Sequence, residues 1–511
     1  MADTTLQLAI IAVYLVVALG IGVVAYRLTE RTAEDYYLAS RTFGTVVLLF
    51  TTFATLLSAF TFFGGPNLAY SAGPEWILVM GLMDGIIFAV LWYVLGYKQW
   101  LVGQKHGYVT LGEMLGDRFG STWLRGGVAV VSIFWLFPYV MLQQKGAGQA
   151  IVGLTDGAVP FWVGAGGITL FMVLYVVLSG MRGVAWTDTL QGLFMLGIVW
   201  VAVAWVLAAV GGPRAATSEL ATSNPEFLRL GGGLYSPQYM LSTAISIAFG
   251  VTMFPQINQR FFVARSKRVL KRTLSLWPVL VVLLFVPTFL LGTWAAGLGV
   301  DVPANSNVIP VVLGEYTAPW FTAVVIAGAM AAMMSSSDSM LLSGASYLTR
   351  DLYRPVTGRS DAQADAEAES HEAVVARIGV VVFASASFVA SLYAPGTLVQ
   401  IGNTAFSGFA QLALPVIVAL YWDRTTKWGI TAGIAGSQLF YAISAFDVLR
   451  WLSQFVIGRP AIGLPQDYLG WSPAIAGMLL GFVLTVGVSA ATETAASENT
   501  LAYSVTGSEA E

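Results

Sequence analysis

The sequence predicts an all-α polytopic membrane protein built as a five-plus-five inverted repeat. Three observations carry this. Of 511 residues, 57% are hydrophobic and only 10% charged, whereas a soluble domain carries about 25% charged residues. Thirteen apolar runs have the roughly 20-residue length that spans a bilayer. The second and seventh of these runs are interrupted by glycine and proline, and such breaks at matching places in two halves mark the binding site of a transporter.

The runs cover residues 6–26, 45–72, 76–97, 124–151, 159–179, 184–210, 239–258, 273–297, 319–347, 374–393, 397–422, 428–447 and 470–491. Residues 1–491 then form a single transmembrane domain, with 45–210 and 239–422 as the two repeats, one helix before them and two after. The first run, Leu6–Tyr26, exceeds a signal-peptide core and has no basic segment before it, so it reads as a retained helix. Basic residues set the orientation. With the N-terminus outside and the C-terminus inside, twenty of the 25 Lys and Arg, Arg260 among them, fall in inside segments. Arg214, Arg229, Arg450 and Arg459 fall outside, and Lys145 lies within a span. The acidic stretch Ser360–Glu372 and residues 492–511 have no apolar face and read as a disordered loop and a disordered cytoplasmic tail.

Each interrupted or polar span has a chemical reading. Span two runs from Ala54 through Gly64, Gly65 and Pro66, and span seven from Gly250 through Pro255 to Asn258; both can unwind and expose carbonyls. Span six opens with Thr187 and Asp188, either a helix N-terminal charge or a partner for a cation. Span four carries Tyr139, Gln143, Gln144, Lys145 and Gln149. Lys145 either attracts an anion, pairs with Asp338 or Asp188, or snorkels to the interface. Span nine sets Ser335, Ser336, Ser337, Asp338 and Ser339 in a row, with Ser335, Ser339 and Ser343 at helical spacing. Any one serine is equally explained as a packing residue bonded to its own helix. Asp338 is not, because an unpartnered carboxylate at bilayer depth costs roughly 3 kcal/mol or more. Hydroxyl and carboxylate oxygens suit a hard cation rather than a transition metal.

Tyr36–Arg41, Ser58–Trp76, Gly183–Gln191 and Met334–Tyr353 together resemble the sodium:solute symporters, the family of the proline, pantothenate and sodium/sugar symporters, and the likeness extends from about Asp35 to Trp422. The resemblance implies a LeuT-like fold and sodium as the coupling ion, with no other cofactor. It implies a main sodium site made of the carbonyls of Ala54, Leu57 and Ala332 and the side chains of Ser335 and Ser336. It implies a second cation site at Asp188, Ser335, Asp338 and Ser339. Two sodium ions, one sodium ion, or one sodium ion and a proton all satisfy these residues. The Gly-Gly-Pro-x-x-Ala-Tyr run resembles the pantothenate and monocarboxylate branch, and implies a small carboxylate bound by Phe60, Thr61, Tyr139, Gln143, Pro255 and Gln256. An amino acid such as proline is the alternative solute.

The expected partners are therefore the solute, sodium or a proton, and the lipid of the plasma membrane, with no nucleic acid. An enzyme is not expected: the chain has no cysteine, and its two histidines, His106 and His371, lie in polar loops. A sensor built on a transporter fold is the more distant alternative, disfavoured by the lack of an output domain after span thirteen.

Overall fold

The structure, a computed structural model, describes residues 2–28, 42–303, 306–358, 366–451, 453–454, 464–465 and 467–493. The Tyr36–Arg41 motif and residues 494–511 lie outside them. The described chain is helical. In order the helices are α1 (Ala2–Leu28), α2 (Thr45–Leu56), α3 (Phe60–Ala72), α4 (Ile77–His106), α5 (Leu111–Arg118), α6 (Thr122–Leu154), α7 (Phe161–Val210), α8 (Pro213–Ser223), α9 (Pro237–Thr252), α10 (Pro255–Phe262) and α11 (Lys267–Gly297). They continue with α12 (Val308–Tyr316), α13 (Pro319–Thr357), α14 (Ala366–Tyr393), α15 (Leu398–Tyr421), α16 (Lys427–Ala445) and α17 (Pro473–Ala491).

Among the described residues, nine helices are long and apolar enough to cross a membrane, or eleven if each bent pair is one span. The bent pairs are α2 with α3, at 61°, and α9 with α10, at 56°. These are the two runs with glycine and proline. Helix α7 covers two predicted runs without losing its helical backbone. At 50 residues a straight helix would be about 75 Å long, more than twice the ~30 Å hydrocarbon core. Its two apolar stretches, Phe161–Val177 and Val184–Val210, therefore cannot be one straight crossing.

Helix α13 is the central post. Its apolar window is 89% buried, against 22% for α1. The run Ala327–Ala332 gives it a small-residue surface, which lets backbones approach closely. It packs on α1, α2, α6, α7, α10 and α14. Its hydroxyl-bearing turns are thereby brought against both breaks.

Two features differ from the sequence reading. The first bend lies at Leu57–Ala59, well before the Gly-Gly-Pro motif. Gly64 closes a π-helical turn, Phe60–Gly64, and Gly65 and Pro66 begin the next helical stretch. A wider turn of this kind absorbs the missing proline donor. The glycines serve packing instead, since a Cβ on Gly65 would collide with the Phe289 ring. The acidic loop is also shorter than expected. Helix α14 starts at Ala366, and Glu372 is buried and paired with Arg354 at 2.8 Å. Residues 359–365 of that loop lie outside the described residues.

Candidate cation and solute site

At the first break the chain leaves helical geometry at Leu57, whose φ and ψ are −73° and 123°. The carbonyls of Thr55 and Leu57 then lack their usual helical donors. Ser336 on α13 reaches both, donating to Leu57 O at 2.5 Å and Thr55 O at 2.9 Å. Ala54 and Ala332 are buried in the same packing of α2 on α13. Carbonyl and hydroxyl oxygens at one point form the donor set that replaces the hydration shell of a hard cation.

Ser335, one residue earlier, turns to a different group. It donates to Asp188 Oδ1 at 2.5 Å. Asp188 Oδ2 accepts from Thr51 at 2.6 Å and Thr55 at 3.3 Å. Its charge is met by Arg260 Nη2 at 3.2 Å, both side chains being 1% exposed. The same Nη2 lies 2.7 Å from Thr55 Oγ1 and from Ser339 Oγ. The guanidinium thus lies on two of the four residues expected to hold a second cation, Asp188 and Ser339, while Ser335 bonds to Asp188. Asp338 is buried, and among the described residues its Oδ1 accepts no hydrogen bond.

The sequence places Arg260 in the inside loop, with Arg265 and Lys267 following it. The structure moves it to α10, the second half of the broken span, where it is buried. A signal was present. Arg260 lies five residues after Pro255, and one and a half helical turns from a break at bilayer depth carry a side chain into the bundle.

The second break is held by a side chain. Asn258 Nδ2 donates to Phe254 O at 2.8 Å and to Thr252 O at 3.3 Å, so the Thr252 carbonyl, freed by the turn, gains a donor. Between the breaks lies an aromatic cluster: Phe60 and Tyr139 each approach Phe406 at 5.1 Å, and Tyr139 approaches Phe254 at 5.0 Å. Tyr139 Oη lies 3.0 Å from Ser58 Oγ, and Gln143 Oε1 accepts from Ala59 N at 2.8 Å. Those two span-four residues therefore grip the first break directly. Thr61, Pro255 and Gln256 are buried as well. Gln256 stands out: among the described residues neither its Nε2 nor its Oε1 has a hydrogen-bond partner. A buried amide left so is costly unless another molecule meets it.

Two further polar groups were placed by the structure. Lys145 donates to Gly396 O at 2.7 Å and Ala394 O at 2.8 Å, beyond the end of α14, and so pairs with backbone carbonyls rather than with Asp188 or Asp338. Asp84 on α4 went unread in the sequence. It is buried, and its Oδ1 has no partner among the described residues.

The model of the sodium:solute symporter family matches residues 36–436. The chain belongs to the sodium:solute symporter family. The sodium/pantothenate symporter of Escherichia coli K12 is 28% identical over 480 residues, covering 92% of this chain and 93% of that one. The osmoregulated proline transporter OpuE of Bacillus subtilis is 25% identical, covering 87% and 88%. Among solved structures, a sodium-coupled sialic acid symporter in its outward-open, substrate-bound state superposes with a TM-score of 0.74 at 18% identity, covering 96% of this chain and 98% of that one. Mhp1, a nucleobase-cation symporter, gives 0.56 at 16% identity. The fold is thus LeuT-like, and this symporter is a multi-pass membrane protein that couples solute uptake to sodium.

Proposed function

We propose that this symporter imports a small carboxylate by alternating access, with sodium held where Ser336 meets the carbonyls of the first break. The reading includes thirteen spans, an outside N-terminus and repeats at 45–210 and 239–422. Sodium at Ser335, Ser336 and the carbonyls of Ala54, Leu57 and Ala332 would fix the bent α2–α3 pair against α13. The solute would then lie beside Phe60, Thr61, Tyr139 and Gln143. The observation that carries the carboxylate is Gln256, a buried amide donor on the first turn of α10 with no partner among the described residues. The N-terminal end of the α10 dipole adds a further attraction for an anion. The pantothenate symporters among the relatives support the same class.

Asp84 favours a second reading. A buried carboxylate with an oxygen that has no partner among the described residues suits a solute with a cationic group, such as the amino acid carried by the proline transporters among the relatives. Proteoliposomes with an imposed sodium gradient separate the two. Pantothenate and short monocarboxylates are expected to accumulate, and Gln256→Ala to raise their half-saturation concentration about tenfold. Accumulation of proline alone, abolished by Asp84→Asn, would overturn the carboxylate.

A further inference from the structure

Away from the transport path, a cavity of about 1350 Å³ opens between the end of α4 and the start of α11. Six cations line it: Lys105, Arg265, Lys267, Arg268, Lys271 and Arg272. Among the described residues, no Asp or Glu lines it. Loop cations that only set topology can disperse into water, but part of this cluster is held in place, namely the Arg265 backbone and the Lys267 and Lys271 side chains. The backbone of Arg265 is pinned by its N–H to Phe43 O at 3.3 Å. Lys271 sits over the Tyr97 and Tyr93 rings at 5.0 and 5.5 Å, and Lys267 over Tyr97 at 5.9 Å. Tyr93, Tyr97 and Trp100 form a stacked ladder along α4. Four of the cations also stand in the first two turns of α11, whose first turn has no acidic residue. There they oppose the helix dipole, an arrangement that disfavours the free protein.

The walls below the cavity are apolar and exposed. On α4, Ile86, Val90 and Tyr93 continue the line of Tyr97; on α11, Leu276, Val279 and Leu283 continue the line of Arg272. Arg272 to Leu283 spans about 17 Å of helix, close to half of the ~30 Å hydrocarbon core. Charged cavity, tyrosine ladder and apolar wall therefore follow the order of a lipid: phosphate, interface, acyl chain.

We propose that this cavity is a binding site for an anionic phospholipid, its phosphates among the six cations and its acyl chains along the α4 and α11 walls. The two-phosphate headgroup of cardiolipin matches the number of cations best. The occupant counters the like charge at the start of α11, beside the second broken span, so it steadies the element that carries Arg260.

The test uses the full chain in nanodiscs of neutral phosphatidylcholine, with cardiolipin or phosphatidylglycerol titrated in. Binding is read by native mass spectrometry and thermal unfolding. The wild type is expected to retain cardiolipin and to unfold at a higher temperature with it. The Arg268→Gln, Lys271→Gln, Arg272→Gln variant is expected to bind it about a hundredfold more weakly, about 3 kcal/mol at 1.4 kcal/mol per tenfold. In phosphatidylcholine alone the variant should be at least as stable as the wild type, because like charge has been removed. Equal lipid retention by both proteins would overturn the proposal. So would equal stabilisation by soluble glycerophosphate, which would make the site one for a free anion.

Discussion

Asp188 and Arg260 form a pair that neither can leave cheaply. With both side chains 1% exposed and 3.2 Å apart, removing one leaves the other charged and buried, at a cost of about 3–5 kcal/mol. Asp188→Asn is therefore expected to destabilise the protein by about that amount, and Arg260→Gln likewise. The double variant should lose clearly less than the sum, as denaturant unfolding in detergent would report. Strict additivity would show that the two do not depend on each other. The serines divide in a similar way. Ser336 bonds to the break, whereas Ser337 bonds to Met333 O of its own helix at 2.7 Å. Ser336→Ala should raise the sodium concentration for half-maximal uptake at least tenfold, and Ser337→Ala should leave it unchanged. Equal responses from the two would remove sodium from the Ser336 position. The hydroxyls and Asp188 were legible in the sequence because polar groups in an apolar run demand an explanation. Arg260 was not, because it is 72 residues from Asp188 and merges into a basic loop.

At the scale of elements, the two broken helices were legible and the position of the first break was not. Glycine and proline announce where a helix can yield, but packing decides where it does. Gly65 is spent on contact with Phe289, and the chain bends instead at Leu57–Ala59, where Ser336 and Gln143 offer replacement partners to the backbone. The acidic loop fails by the opposite error. Composition made all of Ser360–Glu372 look solvated, yet Glu372 holds Arg354 at 2.8 Å and ties α13 to α14. That divides the segment functionally. Deleting residues 361–365 should leave uptake and membrane insertion unchanged. Glu372→Gln should lower unfolding stability by about 1–3 kcal/mol, because Arg354 loses a charged partner in a mostly buried place. If the deletion abolished uptake while insertion stayed normal, the loop would have a working role.

For the whole molecule, the guanidinium of Arg260 bears on how many charges cross the membrane per cycle. In this conformation a tethered cation lies against Asp188 and Ser339, where a second sodium would otherwise compete for the same oxygens. With one sodium at Ser336 and a monovalent carboxylate as solute, the translocated charge is zero. Accumulation in proteoliposomes should then follow the sodium gradient alone and ignore an imposed potential. Two sodium ions would carry one net charge, worth about 2.3 kcal/mol per 100 mV, or about fiftyfold in accumulation at 1.36 kcal/mol per tenfold. The two cases are far enough apart for a potassium-diffusion-potential experiment to separate them. The wild type is expected to show less than a twofold response to 100 mV. Arg260→Gln leaves Asp188 and Ser339 without their guanidinium, so any variant protein that folds should admit a second sodium and gain a voltage dependence. A wild type that already responds fiftyfold would mean that Arg260 leaves Asp188 during the cycle and that sodium takes its place.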